Sequence, residues 1–86
     1  MHSSFLLLTC TVDKNIEVAN ELQKIGGIEE AIPVYGSYDC VVKTEKMPPE
    51  DVVELVSSTV RFLDNVHTVL TLYSAPPKFI QDLNVR

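Results

Sequence analysis

The order of periodicities along this 86-residue chain predicts an α+β domain with the element order β-α-β-β-α-β. Three observations carry that expectation. Four short runs of β-branched and bulky apolar residues alternate with two longer segments of helical spacing. Each helical segment stops at residues suited to the left-handed region, Gly26-Gly27 in one case and Asn65 in the other. The halves also echo one another. Ile25-Gly26-Gly27-Ile28 matches Leu63-Asp64-Asn65-Val66 at an offset of 38, and Tyr35 and Tyr73 keep that offset. Two βαβ halves produce such an echo, which is the split-βαβ or ferredoxin-like plan. Right-handed crossovers then place both helices on one face of a four-stranded antiparallel sheet of order 4-1-3-2.

Residues 4–12 (SFLLLTCTV) form the first strand, apolar on both faces from Phe5 to Leu8 and therefore central. Asp13 is placed to cap the first helix. Ile16, Ala19, Leu22 and Ile25, with Val18, make its apolar stripe. Residues 28–35 (IEEAIPVY) form the second strand, and Pro33, which lacks a ladder donor, sends it to an edge. Gly36-Ser37 reads as a two-residue hairpin turn, with residues 38–44 returning as the third strand. Pro48 and Pro49 followed by Glu50 and Asp51 open a helix, with acids at the positive end of its dipole. Val53, Val56, Val60 and Leu63 give it a stripe, and Asn65 closes it. Residues 66–74 (VHTVLTLYS) form the fourth strand. One domain over residues 1–75 is expected, then a tail over 76–86 with Phe79, Ile80, Leu83 and Val85 as docking residues.

Seven basic against twelve acidic residues give a net charge of −5. An acidic chain neutralises phosphate poorly, so direct DNA or RNA binding is not expected. Phe5 to Leu8 is far short of the ~20 apolar residues that a membrane span needs. Cys10 and Cys40 make no disulfide framework and have no neighbour at metal spacing, so they read as buried free thiols of a reducing cytoplasm.

Two helices on one face leave the other face of the sheet bare. The first strand is apolar on both faces, and the fourth carries Val69 on one side with Leu70 and Leu72 on the other. A second copy of the same sheet is the simplest cover, giving a two-fold dimer. The tail is the rival cover.

At Ile25-Gly-Gly-Ile-Glu-Glu-Ala, Val34-Tyr-Gly-Ser-Tyr-Asp-Cys-Val-Val-Lys and Asn65-Val-His-Thr-Val-Leu-Thr-Leu the chain resembles the ligand-binding domain of the Lrp/AsnC (feast/famine) transcription regulators, the RAM domain. The likeness covers about residues 4–74, and the Gly-x-Tyr-Asp turn before an apolar strand is its most specific part. The resemblance implies a ferredoxin-like domain that dimerises through its sheets and assembles further, often into octameric rings. It implies a free amino acid, or a related effector, bound at contacts between dimers, and no catalysis and no cofactor. Family members carry an N-terminal helix-turn-helix. Met1 lies just before the first strand, so a stand-alone form without the DNA-binding part is expected, working through full-length regulators as partners.

The expected ligand residues are Gly36, Ser37, Tyr38, Asp39 and Thr71. The turn amides of Gly36, Ser37 and Tyr38 could form a nest for an α-carboxylate, and Asp39 could take an α-ammonium. The plain structural reading of Asp39 is a lock that bonds the turn amides, and Tyr38 reads first as packing. Thr71 matches the threonine of the family's last strand, where its plain reading is a β-branched residue on a sheet. Val69 stands where the family often has a second hydroxyl, which makes the expected pocket less polar. His2 and His67 have no partner at metal-ligand spacing. The alternatives to an effector domain are a ligand-free assembly partner of full-length regulators and, less favoured, a small dimeric ferredoxin-like monooxygenase.

Overall fold

The computed structural model describes residues 2–73, with β1 (Ser4–Cys10), α1 (Asn15–Gln23), β2 (Ile28–Pro33), β3 (Cys40–Thr44), α2 (Pro49–Ser58) and β4 (Val66–Tyr73). The strands make one antiparallel sheet in the order β2-β3-β1-β4, the predicted ferredoxin-like arrangement with β1 inside and the Pro33 strand at an edge. The expected tail, 76–86, lies outside the described residues, as does Ser74 at the expected end of the fourth strand.

The core lies between the helices and one face of the sheet. Leu6 and Leu8 of β1, Val42 of β3, Val18 and Leu22 of α1, and Val52 and Val56 of α2 are buried there, with Val60 beyond α2. Each fully buried side chain of this size is worth about 1.5–3 kcal/mol relative to exposure. Gly27, with φ 96°, ends the α1 segment in the left-handed region as expected, and Asn65, with φ 72°, does the same before β4. Glu50 and Asp51 occupy the first turn of α2.

Four local expectations need correction. Asp13 does not cap α1: it sits at φ 66° in the preceding turn, and Lys14 holds the cap position without a side-chain bond. The buried stripe of α1 is Asn15, Val18, Ala19 and Leu22, and Ile16 is exposed. On α2 the stripe runs through Val52 and Val56, not Val53, and the helix ends at Ser58. A 3-10 turn, Val60–Phe62, carries the chain onward. Both phase errors arise where apolar or amide residues stand side by side, so that packing against the sheet decides which one faces in. Finally, β2 and β3 are joined by residues 34–39 and not by a two-residue hairpin, with Pro33 facing Cys40.

The opposite face of the sheet carries no helix. One cross-strand row on it reads Ile32, Val41, Leu7, Leu70, and the next Glu30, Lys43, Phe5, Leu72. Phe5 is 39% exposed, and Leu70 and Leu72 are 46% exposed. A third row, Thr9 with Thr68, is polar, and the two hydroxyls share a hydrogen bond.

Candidate functional site

The 34–39 connection is held at its roots and open at its tip. The Val34 amide donates to the Asp39 carbonyl at 2.9 Å, closing the loop. The Asp39 amide donates across to the Leu8 carbonyl of β1 at 2.8 Å. One Asp39 carboxylate oxygen, Oδ2, then accepts the Cys10 amide at 2.7 Å. β1 shifts register between Thr9 and Cys10 against β4, and on its other side the Asp39 carboxylate takes the Cys10 amide, a bond that a strand carbonyl would otherwise make. The lock expected of Asp39 is therefore real in kind but different in partner: it holds the loop to a neighbouring strand and not to its own turn amides. An amide-to-carboxylate bond of this sort is charge-assisted and short.

At the tip, Gly36 adopts φ 131°, a conformation open to glycine and strained for other residues. A Cβ there would meet nothing within 4 Å, so conformation and not space calls for glycine. Tyr35, Gly36 and Ser37 are exposed, while Tyr38 and Asp39 are half-buried. Among the described residues, no hydrogen bond uses the amides of Gly36, Ser37 or Tyr38. Three successive free donors thus directly precede Asp39 in the chain, and among the described residues the hydrogen bond to its carboxylate is the one at Oδ2.

Thr71 is not brought to this loop within one chain. It pairs with Leu6 on the helix-covered face, whereas the loop meets β1 at Leu8 and Cys10 from the β3 side. Leu6 and Cys10 are ~13 Å apart at the usual strand rise, with β1 itself between the two sites. The hydroxyls that do lie at the loop's end of the open face are Thr9 and Thr68. Further along, Thr11 Oγ1 and His67 Nε2 are hydrogen-bonded at 3.0 Å. Thr9 and Thr68 are unremarkable in the sequence because only the β1–β4 register pairs them.

Behind the loop, Asn15 is 8% exposed at the first position of α1. Its Nδ2 donates to the Val34 carbonyl at 3.2 Å, and its own carbonyl accepts the Cys40 thiol at 3.3 Å. Cys10 and Cys40 are free and buried, and each is near enough to affect the other's ionisation. Burial, then the neighbouring Cys10 and Asp39, push the Cys40 thiol up to about 12, and burial raises Cys10 as well. Both are thiols, not thiolates, at neutral pH, which makes them poor nucleophiles.

A separate groove of about 630 Å³ lies between α1 and the turn before β4, lined by residues that include Glu17, Glu21, Lys24, Phe62 and Asp64. It is open to solvent, and its glutamates pair along the helix with Lys14 and Lys24 at 3.4 and 3.3 Å. That is the chemistry of a solvated helix face, and the loop is the better candidate site. No helix among the described residues is long and apolar enough to cross a membrane.

No family model matches the sequence, and no curated protein matches it. Solved structures do. A hypothetical protein from Pyrococcus horikoshii superposes with a TM-score of 0.79 at 26% identity, covering 88% of this chain and 92% of that one. FFRP-DM1 superposes at 0.78 with 27% identity over 87% of this chain and 100% of its own. AsnC of E. coli shares the fold at 0.75 with 14% identity, and the match spans 52% of that longer chain. In topology and over nearly its whole described length the chain is thus similar to stand-alone domains such as FFRP-DM1, and it shares the fold of one part of AsnC, as the Lrp/AsnC-like ferredoxin plan predicts.

Proposed function

We propose that this domain is a non-catalytic effector-binding and oligomerisation module that takes a free amino acid or a related small molecule at its 34–39 loop. In this reading it forms a two-fold dimer through its open sheet faces, and dimers associate into a higher, ring-like oligomer. It acts in the cytoplasm on transcription through full-length Lrp/AsnC regulators, without touching nucleic acid itself. The observation that carries the reading is the loop tip, where the unused amides of Gly36, Ser37 and Tyr38 directly precede Asp39 in the chain. A zwitterion needs donors for its carboxylate and an acceptor for its ammonium, and this pairing offers both. Thr71, remote within one chain, would have to come from a neighbouring copy, which is consistent with a site between dimers. The apolar rows around Phe5, Leu70 and Leu72 support sheet-face pairing, because apolar surface of that kind is stabilised by cover.

The test is a thermal-shift screen of the twenty amino acids with oligomer mass measured alongside. A ligand at 100 times its Kd adds about 2.7 kcal/mol, which raises the Tm of a domain this small by about 10–20 degrees. Asp39→Asn keeps an oxygen for the Cys10 amide while removing the charge. Effector binding should then weaken by about 1.5–3 kcal/mol with the dimer intact. A variant that binds every effector as well as wild type and merely melts earlier leaves Asp39 as a lock alone. One observation favours a second reading, a ligand-free assembly partner of full-length regulators: Asp39 already spends Oδ2 on the Cys10 amide. A flat screen with an intact oligomer selects it.

A further inference from the structure

We infer that Asn15 is the positioning residue of the 34–39 loop, and that its buried carboxamide sets where the free amides and the Asp39 carboxylate stand. As a ligand role, this rests on the effector reading above. As a statement about the loop, it does not.

The Val34–Asp39 rung is incomplete. When two residues of an antiparallel pair exchange hydrogen bonds, each gives its N–H to the other's carbonyl. Val34 gives its amide to the Asp39 carbonyl, but Asp39 gives its amide to Leu8 of β1 instead. The Val34 carbonyl therefore loses the donor that a regular hairpin would supply. Pro33, just before it, has no N–H to offer the ladder at all. Asn15 fills the gap, with Nδ2 on the Val34 carbonyl at 3.2 Å. The orientation of the carboxamide is fixed, because its oxygen accepts the Ile16 amide at 3.0 Å and only the nitrogen is left to donate. The Cys40 thiol bonds the Asn15 carbonyl, so the start of α1 grips both strands that bear the loop. Val34 is thus placed by α1, and Asp39 by β1.

A loop whose two roots are set by different elements presents its tip in one pose, which lowers the ordering cost of binding. Releasing the Val34 root should loosen the tip while leaving the sheet intact.

The discriminating variant is Asn15→Asp. The carboxylate still accepts the Ile16 amide and suits the positive end of a helix, so α1 is retained. The donor to Val34 is lost, and an anionic oxygen faces its carbonyl instead. Amide hydrogen exchange is followed by NMR in the full chain, with Asn15→Ala alongside. The Val34 and Asp39 amides, the hydrogen-bonded donors at the loop's two roots, should exchange at least about tenfold faster in both variants, the scale of one lost hydrogen bond, while Leu6, Leu8 and Val42 keep their protection. If an amino acid stabilises the wild type, its Kd should rise by about tenfold in Asn15→Asp at an unchanged oligomer mass. Loop exchange equal to wild type, or loop and core amides accelerated together, overturns the positioning role. So does an unchanged Kd in a protein that binds. The exchange measurement needs no ligand, so a wild type that binds no amino acid removes the effector reading and leaves the role of Asn15 to be decided by exchange.

Discussion

The two faces of the sheet are built from the same strands and reach different ends. On the helix side, Leu6, Leu8 and Val42 are entirely enclosed. On the other side, the residues between them, Phe5, Leu7 and Val41, join Ile32, Leu70 and Leu72 in rows that the described chain leaves uncovered. Strand alternation makes the two sets interleave one residue at a time, yet one set holds the fold and the other is surface. The difference teaches that apolar content alone does not locate a core. What decides is whether the topology sends a helix over that face.

The largest expected effect comes from the enclosed face. Leu8→Ala should destabilise the protein by about 2–5 kcal/mol, the range for leucine truncation in a closed core, measured by urea denaturation. Leu72→Ala on the bare face should cost under about 1 kcal/mol within a single chain, and an equal loss would erase the contrast between the faces. Next comes Leu70→Asp. With a sheet-face dimer, the substituted protein should elute with the mass of one chain by light scattering, and its Tm should no longer rise with concentration. A wild type that is already a single chain at micromolar concentration breaks the proposed use of this face.

The last contrast, confined to alkaline pH, lies in the thiols of the enclosed face. The unfolded Cys40 ionises near pH 9, whereas in the fold burial holds it as a thiol until about 12. Between those values the folded state binds more protons than the unfolded state, so stability falls as pH rises through that window and is fully retained below it. Denaturation midpoints measured from pH 8 upward should show this decline, and Cys40→Ala should flatten it. An identical slope in wild type and variant assigns the decline to other groups.

Much of this was legible in the sequence, for identifiable reasons. Gly27, Asn65 and Pro33 act through their own backbone preferences, so the helix ends and the edge strand could be read locally. The phase of α1 and α2 could not, because Asn15 beside Ile16 and Val52 beside Val53 are separated only by contact with the sheet. The loop residues 36–39 were identifiable, but their anchoring was not. Cys10 and Asn15 lie 29 and 19 residues from the groups they bond, and nothing local announces either contact. The family likeness that points to Thr71 carries no register, and the β1–β4 pairing sets this residue on the covered face.

The double anchoring of the 34–39 loop has a consequence for how this protein can change over generations. Because the Val34–Asp39 bond and its two outside supports close the frame, residues between 35 and 38 bear none of the sheet's load. Doubling the length of a flexible loop adds only about 0.6 kcal/mol of closure entropy. Insertions at the tip are therefore tolerable variation, open to selection for new chemistry, whereas a shift of Asp39 by one position would detach the carboxylate from Cys10 and disturb the strands themselves. The fold separates a fixed anchor point from a stretch of sequence free to drift.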